Sequence, residues 1–128
     1  MNNTTVPGPL VLIVDDNEKN LKLARDVLVA VGFRTLEAGS AGEAIALAEE
    51  HLPDVVLMDL HLPDLDGTQA ARRLADETRT AAIPVVALSS LVFDRDDAWL
   101  VENSFAGYLE KPIDVETFPE QVRSFCRA

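Results

Sequence analysis

The chain has 128 residues, 48% of them hydrophobic, and a formal net charge of −11 at pH 7. That length suits one domain with a real core. No apolar run approaches the roughly 20 residues needed to cross a bilayer, no signal segment opens the chain, and a soluble cytoplasmic protein is expected. The acidic balance disfavours non-specific binding to nucleic acid, and the single cysteine, Cys126, excludes an internal disulfide.

Residues 1–9 are polar with two prolines and a glycine, which predicts a flexible N-terminal tail. Leu10 to Val14 is a continuous apolar run of the kind a buried parallel strand needs, and it ends at Asp15 and Asp16. Asn17 is placed to cap a helix in which Leu21, Ala24, Leu28 and Val31 recur at helical spacing, with Gly32 just past its end. Phe33 to Ala38 predicts a second strand. Gly39 and Ser40 break it, and Ser40 with Glu43 predicts a capping box for a helix with Ala44, Leu47 and Ala48 inward. His51 falls at the end of that helix, where a partly charged imidazole suits the dipole better than any ligand role.

Val55 to Met58 predicts a third buried strand that runs into Asp59. His61, Pro63, Asp64, Asp66 and Gly67 follow as turn formers. Thr68 to Thr78 reads as a helix with Ala71, Leu74 and Ala75 on one side. Pro84 opens a fourth strand, Val85 to Leu88, which ends at Ser89 and Ser90. Asp94 is placed to cap a fourth helix through about Asn103. Gly107 to Glu110 predicts a short fifth strand ending at Lys111 and Pro112. The last helix has two starts. Asp114 as cap leaves Pro119 deleting an interior hydrogen bond, whereas Thr117 with Glu120 makes a capping box and puts Pro119 in the first turn, so Thr117 is favoured, after a looser turn from Asp114. Val122, Phe125 and Cys126 are expected to face inward.

Strands and helices alternate, which implies an α/β fold of five parallel strands joined by right-handed crossovers. Residues 10–128 form one expected domain, with no repeat or linker and no room for a second. In an all-parallel sheet the strand C-termini share one edge, where ligands of open α/β sheets bind. Asp15, Asp16, Asp59, Ser89, Ser90 and Lys111 therefore converge there. Three carboxylates brought together repel and call for a counter-charge. Mg²⁺ accepts carboxylate oxygens and leaves room for phosphate oxygens. With a lysine and a hydroxyl beside them, these groups suit phosphoryl transfer to a carboxylate, in which charge on the equatorial oxygens must be neutralised.

The segments LIVDDN, VVLMDLHLPDLDG, VVALSS and YLEKP resemble the receiver domain of two-component response regulators, and the resemblance spans Leu10 to Arg127. It is nearest to free-standing cell-cycle and chemotaxis receivers. It implies a doubly wound, flavodoxin-like sheet in the order 2-1-3-4-5 and a cytoplasmic phosphoprotein. It also implies that Asp59 is the phosphoacceptor. Asp16 and Asp59 would ligate Mg²⁺, with Asp15 acting through water and the His61 carbonyl completing the protein ligands. Ser89 would be the switch hydroxyl, Lys111 would bind phosphoryl oxygens before a cis bond at Pro112, and Tyr108 would be the aromatic switch that moves inward with Ser89. A static, half-buried Tyr108 is the competing expectation.

Some positions depart from that family's pattern. Ser90 stands where alanine is usual. Asn103 and Ser104 stand where helix 4 usually ends in glycine, and Asn103 is the expected left-handed residue. Phe105 and Gly107 also differ. Trp99 is either a binding anchor on an exposed face or packing against its own helix. The His61 side chain is expected beside the path of an attacking water, which predicts control of the lifetime of the phosphorylated state. A loop histidine that matters only through its backbone is the alternative.

The function expected is therefore a receiver that takes a phosphoryl group from a phosphohistidine on a sensor histidine kinase or a histidine phosphotransfer protein. It would signal to a downstream protein target through the face of helix 4, strand 5 and helix 5, without binding DNA or membrane. It would assist its own phosphorylation and dephosphorylation but turn over no separate substrate. An aspartyl-phosphate phosphatase would want Asp-x-Asp at the first strand and a cap domain, and neither is present. A receiver-like interaction module acting without phosphorylation remains the alternative.

Overall fold

A computed structural model describes residues 8–89, 97–111 and 113–126. The expectations for the first seven residues, Ser90, the Asp94 cap, Pro112 and Arg127 lie outside the described residues. Five strands alternate with five helices: β1 (Leu10–Val14), α1 (Glu18–Ala30), β2 (Arg34–Ala38), α2 (Ala41–His51), β3 (Val55–Asp59), α3 (Gly67–Asp76), β4 (Val85–Ser89), α4 (Asp97–Glu102), β5 (Gly107–Glu110) and α5 (Phe118–Phe125). The sheet is wholly parallel, in the order β2-β1-β3-β4-β5, as the resemblance implied.

The period of two along the strands divides the core between the two faces of the sheet. Leu12, Val14, Val56, Met58 and Ala87 pack on one face against Ala44 and Ala48 of α2, Ala71 and Leu74 of α3 and Leu100 of α4. Val11, Ile13, Leu57, Val86 and Leu109 pack on the other against Leu21, Ala24 and Leu28 of α1 and Phe118 and Val122 of α5. Because β1, β3 and β4 are covered on both faces, they read as unbroken apolar runs, which is why they are easy to find in the sequence.

The helix ends show where periodicity stops being informative. Val31 is 49% exposed rather than inward, because it is the C-cap of α1 and has left the helical phase. Gly32 follows with φ 98°. Its N–H donates to Val29 and that of Phe33 to Leu28, the paired bonds of a left-handed helix terminus. Phe33 is buried beneath this turn, one residue before β2 begins. Ala75 is exposed, since the stripe Gly67, Ala70, Ala71 and Leu74 centres α3 about a quarter-turn away from it. That helix ends at Asp76, before Thr78.

The capping expectations hold in part. Asn17 Oδ1 accepts from the Lys19 and Asn20 amides. Ser40 Oγ accepts from the Glu43 amide, but the Glu43 carboxylate reaches back to the Gly39 N–H at 2.8 Å, one residue before the cap itself. Thr117 is the N-cap of α5, yet its side chain makes no capping bond. It already has helical backbone angles, because the chain enters through a turn in which Thr117 and Phe118 both donate to the Asp114 carbonyl. On α5, Val122 is buried while Phe125 and Cys126 are half-buried. Burial and the nearby Asp54 carboxylate push the Cys126 thiol up, which disfavours the reactive thiolate.

Ser104, not Asn103, takes the left-handed conformation after α4, with φ 67°. Asn103 stays in the last turn, where its Nδ2 donates to the Trp99 carbonyl at 2.9 Å. Ser104 donates to Val101 and Phe105 to Leu100, repeating the terminus of α1. Trp99 is half-buried and stacks on Phe105, ring centroids 5.8 Å apart and planes 13° from parallel. The stack packs Trp99 at the end of its own helix and is the apolar contact that usually accompanies such a terminus.

Candidate functional site

Asp15 follows β1, Asp59 is the last residue of β3, Ser89 is the last of β4 and Lys111 follows β5. The parallel sheet brings all four to one edge. Asp15, Asp59 and Ser89 are buried, whereas Asp16 is exposed. One carboxylate oxygen from each of Asp15, Asp16 and Asp59 lies within 4.8 Å of the others. The three strand-end aspartates of the sequence are thus one cluster.

Lys111 bridges its buried members. Its Nζ is 2.8 Å from Asp15 Oδ2 and 3.0 Å from Asp59 Oδ2. Burial works against the ammonium, but the two carboxylates outweigh it and hold the lysine above its ordinary range. The Lys111 amide also donates to the Ser89 carbonyl at 2.8 Å, which fixes where the side chain leaves β5.

The remaining oxygens are assigned to local donors. Asp15 Oδ1 accepts from the Asn17 amide at 2.9 Å, and Oδ2 accepts from Asn20 Nδ2 at 3.2 Å as well as from Lys111. Asp59 Oδ1 accepts from the His61 amide at 3.0 Å. These bonds satisfy carboxylates that burial would otherwise penalise. Three carboxylates against one lysine leave negative charge in excess, and the donor set is all hard oxygen. The cluster fits a hard divalent cation such as Mg²⁺, and the resident lysine offsets only part of its charge.

The loop from Leu60 to Asp66 is held at several points. Asp66 caps α3 through the Thr68 amide, and Gln69 Oε1 returns to the Asp66 amide, a full capping box. Gly67 sits against β3: a Cβ there would overlap the Asp59 carbonyl and lie 2.9 Å from Leu60 Cα. Asp64 reaches sideways to α2, where its oxygens accept from Ala41 at 2.8 Å and Gly42 at 2.9 Å. Those two amides hold the Asp64 carboxyl below its ordinary range. His61 is exposed.

Tyr108 points outward from β5 at 37% exposure and borders an open groove with Glu110, Asp114 and Gln121. It is not part of the acidic cluster.

Sequence reading missed the roles of four residues. Asp66 and Gln69 carry the acid-x-x-amide spacing of a capping box, so that signal was present. Gly67 reads in the sequence only as a turn former, and its requirement is instead close backbone approach. Asp64 had no signal at all, since its partners lie 22 and 23 residues away.

Residues 11–123 match the family model of the response regulator receiver domain. The polar-differentiation response regulator DivK of Brucella ovis is 38% identical over 115 residues, 90% of this chain and 94% of that protein. Among solved structures, the receiver domain of the sensor histidine kinase PA1611 of Pseudomonas aeruginosa has a magnesium ion coordinated in its active-site cleft. It matches with a TM-score of 0.82 at 26% identity, over 92% of this chain and 97% of that one. The chemotaxis protein CheY4 of Vibrio cholerae matches with a TM-score of 0.85 at 21% identity, over 92% of this chain and 98% of that one, a likeness of fold.

Proposed function

The chain belongs to the response regulator receiver domain family of two-component signalling, and from that premise we propose that it accepts a phosphoryl group on Asp59. The observation that carries this is the Lys111 bridge between Asp15 and Asp59 inside a three-carboxylate cluster. With a divalent cation offsetting its excess negative charge, such a cluster at the carboxyl edge of the sheet would suit an incoming phosphoryl group and is poorly suited to anything apolar.

Asp15, Asp16 and Asp59, with the His61 carbonyl, would hold Mg²⁺, and a magnesium ion in the cleft of the PA1611 receiver supports that assignment. When bound, the ion supplies the positive charge that brings a phosphoryl group up to a carboxylate. In the transfer an Asp59 oxygen attacks phosphorus, the P–N bond to the donor histidine breaks, and the imidazole leaves with the electron pair. Lys111 neutralises charge on the phosphoryl oxygens, and Ser89 donates its hydroxyl to them. Ser89 and Tyr108 then form the switch. An acyl phosphate adds charge and acceptor oxygens at the edge of the core, Ser89 follows them, and Tyr108 turns inward. The altered face of α4, β5 and α5 is what a downstream protein reads.

The donor is a phosphohistidine on a sensor histidine kinase or phosphotransfer protein. The working unit is the receiver, residues 10–128, acting in the cytoplasm, and the match along 94% of DivK supports its working in the manner of that response regulator. The chain hastens its own dephosphorylation, and the His61 side chain tunes that rate.

The test is incubation of the purified chain with Mg²⁺ and acetyl phosphate, read by intact mass. One added phosphoryl group is expected in the wild type and none in Asp59→Asn. A folded wild type that acquires no adduct overturns the reading in favour of a module that works unphosphorylated. His61→Ala should change the rate at which the adduct decays, and an unchanged rate removes the side chain from the mechanism.

A further inference from the structure

We propose that Asp64 is a positioning residue for Asp59, acting from outside the acidic cluster. The inference rests on the phosphoacceptor reading and extends it to a part of the molecule that contributes no ligand.

Helix α2 supplies nothing to the cluster, yet its first turn is joined to the loop that does. The first amides of a helix have no partner within it. In α2 they are divided between two chain segments. Ser40, just ahead of the helix, takes the Glu43 amide, while the Asp64 carboxylate takes those of Ala41 and Gly42, one oxygen to each. A carboxylate held by two amides at a helix N-terminus is a charge-assisted, oriented contact, and the helix dipole favours its charge.

Asp64 stands inside the loop whose other fixed points are on or next to the reacting group. The His61 amide, three residues earlier, donates to Asp59 Oδ1 at 3.0 Å. His61 and Asp66 are paired across the loop, and Asp66 caps α3. Asp64 is thus the tether to α2 of a segment that is otherwise held along its strand-to-helix path, by the Leu60 amide on the Leu88 carbonyl of β4, and by Leu62 and Leu65 packed on the core. Lys111 holds Asp59 Oδ2 and the His61 amide holds Oδ1, so a shift of the loop rotates the carboxylate against the lysine. The tether sets how Asp59 and the backbone at His61 are presented to a cation.

The alternative is that Asp64 is a helix cap and nothing more. Calorimetric titration with MgCl₂ and amide exchange by NMR, on the full chain, separate the two. Outer contacts that orient metal ligands typically change affinity by about 10- to 100-fold, and Asp64→Ala is expected at the low end, about 10-fold weaker for Mg²⁺. Its His61 amide should exchange faster, together with those of Ala41 and Gly42. Asp64→Asn keeps one acceptor oxygen and should recover part of both. If Asp64→Ala melts lower but binds Mg²⁺ as the wild type does, with His61 exchange unchanged, Asp64 is only a cap and the proposal is overturned. Should the alanine variant not fold, Asp64→Asn decides alone, and wild-type Mg²⁺ affinity and His61 exchange in it overturn the proposal equally. A wild type that binds no Mg²⁺ overturns the parent reading, and this one with it.

Discussion

Lys111 Nζ stands 3.0 Å from Asp59 Oδ2, a contact that spans 52 residues of sequence. The same nitrogen reaches Asp15 at 2.8 Å, so one ammonium ties the ends of β1 and β3 to the residue after β5. Both oxygens of Asp59 are thereby engaged, one by Lys111 and one by the His61 amide. On the proposed reading, a phosphoryl group arriving on Asp59 would meet a lysine already in contact with the acceptor.

Lys111→Met should destabilise the fold near neutral pH, because it leaves two buried carboxylates without that partner. Breaking a fully buried pair costs about 3–5 kcal/mol, and partial solvent access to the lysine reduces the expectation to about 1–3 kcal/mol, measured by urea denaturation. The lysine is raised above 10.5 in the fold, so its contribution is complete below that pH and is lost as pH rises through the higher folded value. The gap between wild type and Lys111→Met should therefore narrow in strong alkali and not in mild acid.

Mg²⁺ should raise the melting temperature in a saturable way. At 100 times its dissociation constant a ligand that binds only the folded state adds about 2.7 kcal/mol. Asp59→Asn removes one charged ligand and should lose most of the shift. Differential scanning calorimetry with and without MgCl₂ reads this directly, and equal shifts in both proteins would place the cation elsewhere.

Gly67→Ala should be destabilising by about 1–3 kcal/mol, the usual range for forcing a methyl into a packed site. The new Cβ meets the Asp59 carbonyl and Leu60 Cα, and backbone cannot swing aside as a side chain can. The same shift moves the reacting residue, so the variant should also be phosphorylated more slowly by acetyl phosphate at equal folded concentration.

Asp64→Asn should differ from the wild type in its response to acid. The Asp64 carboxyl lies below 3.8 in the fold, held there by the Gly42 and Ala41 amides. Its contribution to stability is present above that value and is lost as pH falls through the lower folded one. The wild-type advantage should hold at pH 5–7 and close below about pH 3.8, read from thermal melts across the series.

Ser104→Gly should stabilise the protein modestly. A side chain in the left-handed region costs about 1–2 kcal/mol, and the entropy of glycine in the unfolded chain takes back about 0.5–1 kcal/mol. The net expectation is a gain of about 1 kcal/mol or less by chemical denaturation, with the Trp99–Phe105 stack retained.

The strands, their parallel alternation with helices and the convergence of Asp15, Asp16, Asp59, Ser89 and Lys111 were legible in the residues alone. Strands buried on both faces must be continuously apolar, and their polar ends mark the sheet edge. Local capping was legible at Asn17 and Ser40, where donor and acceptor are three residues apart or fewer. At Thr117 the start of α5 and the turn from Asp114 were legible but the side-chain cap does not form, and at the end of α4 Ser104 rather than Asn103 takes the left-handed turn, because Asn103 bonds the helix's own Trp99 carbonyl. Periodicity put Val31 and Ala75 inward, and the true helix ends and phase put them outside. It took the folded arrangement to show that Lys111 spans two carboxylates, that Gly67 must lack a side chain beside Asp59, and that Asp64 holds α2. The Lys111 and Asp64 contacts join groups 22 or more residues apart, whose distance depends on how the elements stack, and the Gly67 approach depends on how tightly the loop after β3 folds back, which no local spacing encodes.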